Sequence, residues 1–165
     1  MIKIWNYFFY STWQLHFAIG TYLIQEPIFR FARHIPFMRK NLKKGRKEFH
    51  KVMHDLDTGM NLGLSFRAMF TSTMIVYTTV FLTLVIKLNI NVKETLYYYC
   101  FLVLGLAYLT NYILLYRADV YKKYFVEFEK INNKSIVYFS AVFFHLGAIV
   151  FCLLLIYFTT GFKLK

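Results

Sequence analysis

The amino-acid sequence predicts an all-α integral membrane protein with four transmembrane helices. Of its 165 residues, 58% are hydrophobic and 17% are charged, whereas a soluble domain is about half apolar and about a quarter charged. Several stretches approach the roughly 20 apolar residues that a helix needs to cross a bilayer. The lysines and arginines, which give the chain a net charge of +12, gather between these stretches. The length predicts a single membrane domain, residues 1–165.

The first predicted span, residues 4–25, is the least apolar of the four. It contains no Asp, Glu, Lys or Arg, but polar residues such as Ser11 and Gln14 interrupt it and share one helical face. A polar face buried against other helices would allow such a helix to cross the bilayer. The alternative is a helix that lies at the membrane surface. In both cases Glu26-Pro27 is expected to end the helix, because the residue before proline avoids helical geometry.

The other three predicted spans are residues 68–86, 95–116 and 136–158. The first of these is a run of uncharged residues between Arg67 and Lys87, about 28 Å long at the rise of an α-helix. The link that follows Lys87 is short, so the second and third spans are expected to form an antiparallel hairpin. Together with the N-terminal segment, these spans predict a four-helix membrane bundle.

The third span is expected to continue, without a break, into a cytoplasmic helical extension over residues 117–131. Tyr121, Phe125 and Phe128 keep the helical period beyond the apolar stretch. Opposite charges four residues apart also favour a helix here. A continuous helix over residues 95–131 would be about 55 Å long and would protrude from the bilayer.

Residues 28–57 form a basic amphipathic segment, expected to be cytoplasmic, between the first and second spans. Pro36 and Gly45 interrupt its apolar pattern, which predicts two or three short helices rather than one long helix. Apolar residues recur every seven positions: Ile28, Ile35, Leu42, Phe49 and Leu56. A helix that is apolar on one side and lysine-rich on the other is typical of an anionic membrane surface. The segment could equally pack as a cap on the helix ends of the bundle, and the two interpretations are compatible.

The basic residues of this segment are the candidates for contact with lipid headgroups or with a partner protein. They are Arg39, Lys40, Lys43, Lys44, Arg46, Lys47 and Lys51. Nucleic acid is not an expected partner, because the basic residues lie in loops between spans, where membrane orientation and anionic lipid account for them.

The distribution of positive charge predicts the orientation of the chain. With four spans, residues 26–67 and 117–134 share one side of the membrane and carry fifteen Lys or Arg, against five on the other side. Because cytoplasmic loops are enriched in Lys and Arg, the basic loops are expected to be cytoplasmic and both termini outside. The inner (plasma) membrane is the expected location, with the mitochondrial inner membrane as the alternative. If the first segment lies on the surface instead, the N-terminus moves to the basic side.

Small and polar residues line one face of each predicted span and are candidates for helix packing. Helices in lipid pack through small side chains and buried hydrogen bonds. The candidates are Ser72, Thr79, Asn111, Ala141, His145, Ala148 and Cys152. Cys100 and Cys152 both fall in apolar stretches, so they are interpreted as packing residues rather than as a disulfide.

Two histidine pairs are candidate ligands. His50 and His54 are four residues apart, so on a helix both rings would face one metal ion. His16 and His145 fall near the middle of predicted spans and could ligate a haem from two helices. The sequence favours a plainer interpretation of each pair: a solvated basic face for the first, and neutral histidines hydrogen-bonded within the bundle for the second. No cofactor is therefore expected.

The leading functional hypothesis is a non-enzymatic accessory subunit of a larger membrane protein complex. Its expected partners are the lipid bilayer, anionic lipid headgroups and other membrane subunits. We find no nucleophile motif, paired catalytic carboxylates or glycine-rich phosphate loop that would indicate an enzyme. The alternatives are a component of an oligomeric channel or transporter, a membrane-embedded defence, immunity or sensor protein, and a haem-binding redox anchor.

Overall fold

A computed structural model describes residues 1–39, 41–57, 59–90 and 96–160, and every regular element in these ranges is helical. Three helices are long and apolar enough to cross a membrane. They are Met60–Lys87, Tyr97–Phe128 and Lys134–Thr159. This confirms an all-helical protein with three candidate membrane spans, which correspond to the last three predicted from the sequence. Within the described residues, the N-terminal helix does not meet the same criteria.

The chain begins with one long helix rather than a helix that ends at Glu26-Pro27. Helix α1 (Ile2–Ile19) continues through a π-helical segment (Gly20–Gln25) into α2 (Glu26–Ala32). The Glu26 amide donates to the carbonyl of Thr21, five residues back. Because a π segment widens the helical turn, the following proline, which has no N–H to donate, is accommodated near the start of α2. The expected break at Glu26-Pro27 was therefore wrong.

The chain after α2 folds back as a helical hairpin. Helix α3 (Pro36–Arg39) forms the tip, and α4 (Leu42–His54) returns along α2. The Phe29 and Phe49 rings pack edge to face with centroids 6.1 Å apart, and Arg46 pairs with Glu26. Pro36 begins α3, but Gly45 lies inside α4 and does not interrupt it, contrary to expectation. A glycine costs a helix only about 1 kcal/mol, which the contacts between α2 and α4 can offset.

The predicted helical extension over residues 117–131 is separated from the third span by a kink. Helix α5 (Met60–Lys87) is followed by α6 (Leu96–Asn111), which ends in a π-helical turn, Tyr112–Tyr116. Ala118 and Asp119 then have φ angles of 56° and 53°. These left-handed residues redirect the chain into a separate helix, α7 (Val120–Phe128). The prediction was wrong because it assumed a right-handed backbone at both residues.

Helix α7 folds onto α1 and forms an aromatic core with it. The members of this core are Phe9, Tyr10, Tyr121, Phe125 and Phe128, all at most 5% exposed. Ring centroids lie 5.5 Å apart for Phe9 and Phe125, and 5.2 Å apart for Tyr10 and Phe125. Left-handed backbone costs about 1–2 kcal/mol per residue, whereas burying one aromatic side chain contributes about 1.5–3 kcal/mol. Burial of several rings thus outweighs the strained turn.

Helix α5 is the centre of the bundle and contacts α1, α6 and α8 (Lys134–Thr160). Helix α1 runs antiparallel to the first part of α5. Thr12 lies against Met69, His16 against Ser65, and Gly20 against Asn61. Beyond Gly20, the first helix therefore extends past the start of α5.

Lys3 contacts the segment that links the third and fourth predicted spans. Lys3 forms an ion pair with Glu127 in α7. If α1 crossed the membrane as predicted, Lys3 and Glu127 would lie on opposite sides, because Glu127 belongs to the link between the third and fourth predicted spans. Lys134 at the start of α8 also donates to the Tyr10 hydroxyl, at 3.3 Å. The N-terminal half of α1 thus contacts both α7 and the start of α8, and it also borders the middle of α5.

Candidate functional site

Polar and charged side chains cluster in two parts of the structure. One is a polar seam inside the bundle, and the other is the basic hairpin formed by α2, α3 and α4. The polar seam follows the contact between α1 and α5. It consists of Thr12, His16, Thr21, His54, Asn61, Ser65, Ser72 and His145. The α5 members recur at spacings that place them on one helical face.

His16 occupies the centre of the seam. The Ser65 hydroxyl donates to the Asn61 carbonyl at 2.6 Å, so its oxygen is free to accept from the His16 ring. The distance from His16 Nδ1 to Ser65 Oγ is 2.9 Å. A neutral imidazole protonated on Nδ1 satisfies this arrangement.

His145 joins three helices at the membrane end of the seam. Its Nε2 lies 3.0 Å from Thr12 Oγ1 in α1, and its Nδ1 lies 2.7 Å from Ser72 Oγ in α5. Thr12 already donates to the Phe8 carbonyl, at 2.8 Å. Thr12 therefore accepts from Nε2–H, while Ser72 donates to Nδ1, which is again the pattern of a neutral imidazole.

His54 connects the basic hairpin to the bundle. The amide nitrogen of Asn61 in α5 lies 2.6 Å from His54 Nδ1, and Thr21 Oγ1 lies 3.4 Å from Nε2. The ring also packs on Phe17 with centroids 4.0 Å apart. Burial, and to a lesser degree repulsion from a charge on nearby His50, lowers the pKa of His54 from 6.5 to about 4. His54 is thus neutral at physiological pH.

The structure does not assemble a metal site from His50 and His54. Their ring centroids lie 4.5 Å apart, but both nitrogens of His54 already contact Asn61 and Thr21. Among the described residues, no group of three or more His, Cys, Asp and Glu side chains could hold a metal ion. The paired rings instead form part of the joint between α4 and the bundle.

The haem candidates, His16 and His145, belong to the polar seam. Axial ligation requires a free ring nitrogen that faces the iron. Both nitrogens of His145 make hydrogen bonds, and His16 uses Nδ1 for Ser65. Each ring therefore contacts at least one hydroxyl group of a neighbouring helix.

Most candidate packing residues lie where helices meet. Ser72, Thr79, Asn111, Ala141 and Cys152 are buried. The Asn111 amide donates to Ala107 and to Thr73 of α5, and the Cys152 thiol lies 3.7 Å from the Ile75 carbonyl. His145 connects α8 to α1 and α5, as described above. Ala148 lines a mainly apolar cavity of about 530 Å³ bounded by α1, α5, α6 and α8.

The predicted basic contact residues lie in the hairpin and are exposed wherever the structure describes them. Those described are Arg39, Lys43, Lys44, Arg46, Lys47 and Lys51, while Lys40 lies outside the described residues. Arg46 pairs with Glu26, and Lys44 approaches Glu48 at 3.9 Å. The remaining positive charge faces solvent.

Sequence reasoning missed the partners that hold the histidines. Asn61 and Ser65 precede the predicted span at residues 68–86 and so lie outside the stretch that hydropathy assigns to a packed helix. Thr21 and Thr12 belong to a segment whose neighbours could not be known from the sequence. The available signal was the helical spacing of Asn61, Ser65 and Ser72, which continues one polar face beyond the apolar stretch.

Comparison of the chain with protein-family models, curated proteins and solved structures finds no match.

Proposed function

We propose that this protein is a non-enzymatic accessory subunit of a larger membrane protein complex. The observation that carries this proposal is the small buried share of its most apolar helix. In α8, only 11% of the most apolar stretch is buried within the protein. Phe139, Leu146 and Leu153, spaced seven residues apart, are all exposed. A helix so weakly covered by its own chain is suited to packing against helices of another subunit.

The proposed topology has three spans, α5, α6 and α8, with α1 packed on the basic side of the bundle. The ion pair between Lys3 and Glu127 supports this arrangement, because ion-paired side chains lie on one side of a membrane. The basic side then carries sixteen Lys or Arg, against four on the other side. This bias favours a cytoplasmic location for the hairpin in an inner (plasma) membrane, or a matrix location in the mitochondrial inner membrane.

The basic hairpin supplies a second contact in this proposal. Its exposed cations suit either anionic lipid headgroups or an acidic surface of a partner subunit. Its tight joint to the bundle at His54 and Asn61 holds it in a fixed relation to the membrane helices. A subunit that binds through both regions needs no catalytic group of its own.

Co-purification tests the proposal. The tagged protein, extracted from its native membrane in mild detergent, should carry one or more membrane proteins at a fixed stoichiometry through affinity and size-exclusion steps. Replacing Phe139, Leu146 and Leu153 with Ala should reduce that recovery while the protein still inserts. The matched control replaces Phe101 and Tyr108, two exposed residues of α6 that are also seven apart, and should leave recovery unchanged. Elution of the wild-type protein alone in every mild detergent would contradict the accessory role.

A further inference from the structure

We propose that the basic hairpin is the docking element for an acidic, partly apolar segment of a protein partner, rather than for the bilayer that anchors it. This inference rests on the proposed accessory function and specifies the chemistry of the partner at that contact. Three observations carry it: the length of helix between the hairpin tip and the apolar stretch of α5, the exposed aromatic residues of the hairpin, and the sign and amount of its charge.

The hairpin tip lies far from the apolar stretch of α5. Helix α1 is antiparallel to α5, and Gly20 lies beside Asn61, near the start of α5. From that level the helix continues to Ala32 through residues of right-handed helical conformation. At 1.5 Å per residue, Ala32 is about 18 Å beyond Asn61, and Asn61 is itself about 9 Å beyond Arg67 at the edge of the apolar stretch.

This distance separates the tip from the lipid headgroups electrostatically. The sum, about 27 Å, is roughly three Debye lengths at physiological ionic strength, where the Debye length is about 8 Å. Helix α2 continues the π segment and contacts α4, so the two arms of the hairpin support its tip. Attraction to anionic lipid falls off within one Debye length. The cations at the tip therefore meet groups in the aqueous phase.

Large apolar side chains are exposed at the tip. Phe37 in α3 is 84% exposed, and Phe31 in α2 is 70% exposed. Ile28 in α2 and Met38 in α3 are also exposed. Aromatic residues, methionine and arginine are enriched at the centres of protein interfaces. Held in water by a rigid hairpin, these side chains match apolar residues of a protein partner.

The charge of the hairpin selects an acidic partner and disfavours a second copy of this chain. Residues 26–54 contain nine Lys or Arg and two Glu. Two such hairpins would repel each other, because like charges placed opposite one another at an interface are unfavourable. A segment rich in Asp or Glu supplies the complementary charge.

A cavity between α2 and α4 gives this charge a defined position. It has a volume of about 230 Å³ and is lined by Phe29, Arg33, Leu42, Lys43 and Arg46. Glu26 pairs with Arg46, whereas within the described part of the chain Arg33 and Lys43 form no ion pair. Arg33 and Lys43 can both bind a carboxylate, and the apolar part of the cavity can hold a neighbouring side chain. This arrangement suits a partner segment in which an acidic residue stands next to an apolar one.

The test measures binding of defined polymers to the full-length protein in phosphatidylcholine nanodiscs, which leave the hairpin accessible. The probe is a fluorescent random copolymer of glutamate and tyrosine, and the comparison probe is pure polyglutamate. Two variants remove the proposed contacts: Arg33→Gln with Lys43→Gln, and Phe31→Ala with Phe37→Ala. The matched control is Lys123→Gln with Lys130→Gln, which removes two exposed cations from the same side of the molecule. Circular dichroism establishes that each variant retains its helices.

We expect the copolymer to bind more tightly than polyglutamate. Each hairpin variant should weaken copolymer binding by about tenfold, and the control variant should leave it unchanged. An equal loss in the control variant, or equal binding of polyglutamate and copolymer, would show non-specific charge attraction and overturn the proposal. Capture of vesicles of phosphatidylcholine and phosphatidylglycerol in place of the copolymer would assign the hairpin to lipid instead.

The two proposals can fail separately. Loss of copolymer specificity with intact co-purification rejects the docking role and leaves the accessory role. Specific copolymer binding by a protein that never co-purifies with a membrane subunit rejects the accessory role and leaves the recognition chemistry of the hairpin.

Discussion

Protonation of His54 is expected to loosen the joint between the hairpin and the bundle. The folded protein holds this ring neutral, with the Asn61 amide donating to Nδ1. A protonated imidazole carries a hydrogen on both nitrogens and cannot accept that bond. Acidification therefore favours the unfolded state, in which the ring is free to bind a proton.

The size of the effect follows from the pKa. Burial and the nearby His50 lower the pKa of His54 from 6.5 to about 4 in the folded protein. The unfolded state thus binds more protons between these values, and stability falls as the pH drops from about 6.5 to about 4. A shift of this size corresponds to at most about 3 kcal/mol. His54 is 7% exposed but borders an open cavity lined by Lys47 and Lys51, so solvent screening reduces the expected effect to about 1–2 kcal/mol.

Thermal unfolding in detergent, followed by circular dichroism at pH 7 and pH 4.5, measures this contribution. The His54→Gln variant keeps an acceptor for the Asn61 amide but cannot titrate. It should lose about 1–2 kcal/mol less stability on acidification than the wild type. The His34→Gln variant is the matched control, because His34 is exposed, and it should retain the wild-type pH dependence. An identical pH dependence for His54→Gln and the wild type would refute the argument.

Three further substitutions test the packing. At Gly59, a Cβ would lie 2.6 Å from the backbone nitrogen of Asp55, so Gly59→Ala should lower the thermal midpoint by several degrees. Gly63→Ala is the control, because a Cβ there meets nothing within 4 Å, and it should leave the midpoint unchanged. Asn111→Ala removes a fully buried amide that bridges α5 and α6, and denaturant titration should show a loss of about 1–2 kcal/mol; an unchanged midpoint would mean that the bond contributes nothing. Phe125→Ala should cost about 3 kcal/mol in the same titration, and Val126→Ala, an exposed neighbour, should cost less than about 0.5 kcal/mol. Equal effects of these last two substitutions would show that α7 is not packed on α1.

The sequence predicted the three membrane helices α5, α6 and α8 because their signal is local. A run of about 20 apolar residues is a property of composition and length, and it does not depend on the neighbours of the helix. The break after α4 has an equally local signal, since Asp55 and Gly59 are residue types that favour turns.

The path of the chain between helices could not be predicted, because it depends on tertiary burial. Tyr121, Phe125 and Phe128 keep the same helical period whether or not the chain turns at Ala118. The chain turns at Ala118 because the turn allows these rings to be buried against α1, and the position of α1 is not encoded in the local sequence. Likewise, Pro27 usually ends a helix, but the π segment before it allows the helix to continue. Only part of the polar seam could be predicted from the sequence. His16 and His145 stand out as histidines within apolar stretches, but the hydroxyl groups that contact them lie on other helices.

Cysteine labelling tests the central claim, a three-span topology with the start of α1 on the side of the basic hairpin. In a variant lacking Cys100 and Cys152, single cysteines replace Lys3, Lys43 or Asn89, and a membrane-impermeant maleimide is added to sealed vesicles of known orientation. We predict that the Lys3→Cys and Lys43→Cys variants react from one side and the Asn89→Cys variant from the other. Labelling of the Lys3→Cys variant from the same side as the Asn89→Cys variant would show that α1 crosses the membrane and would contradict the account.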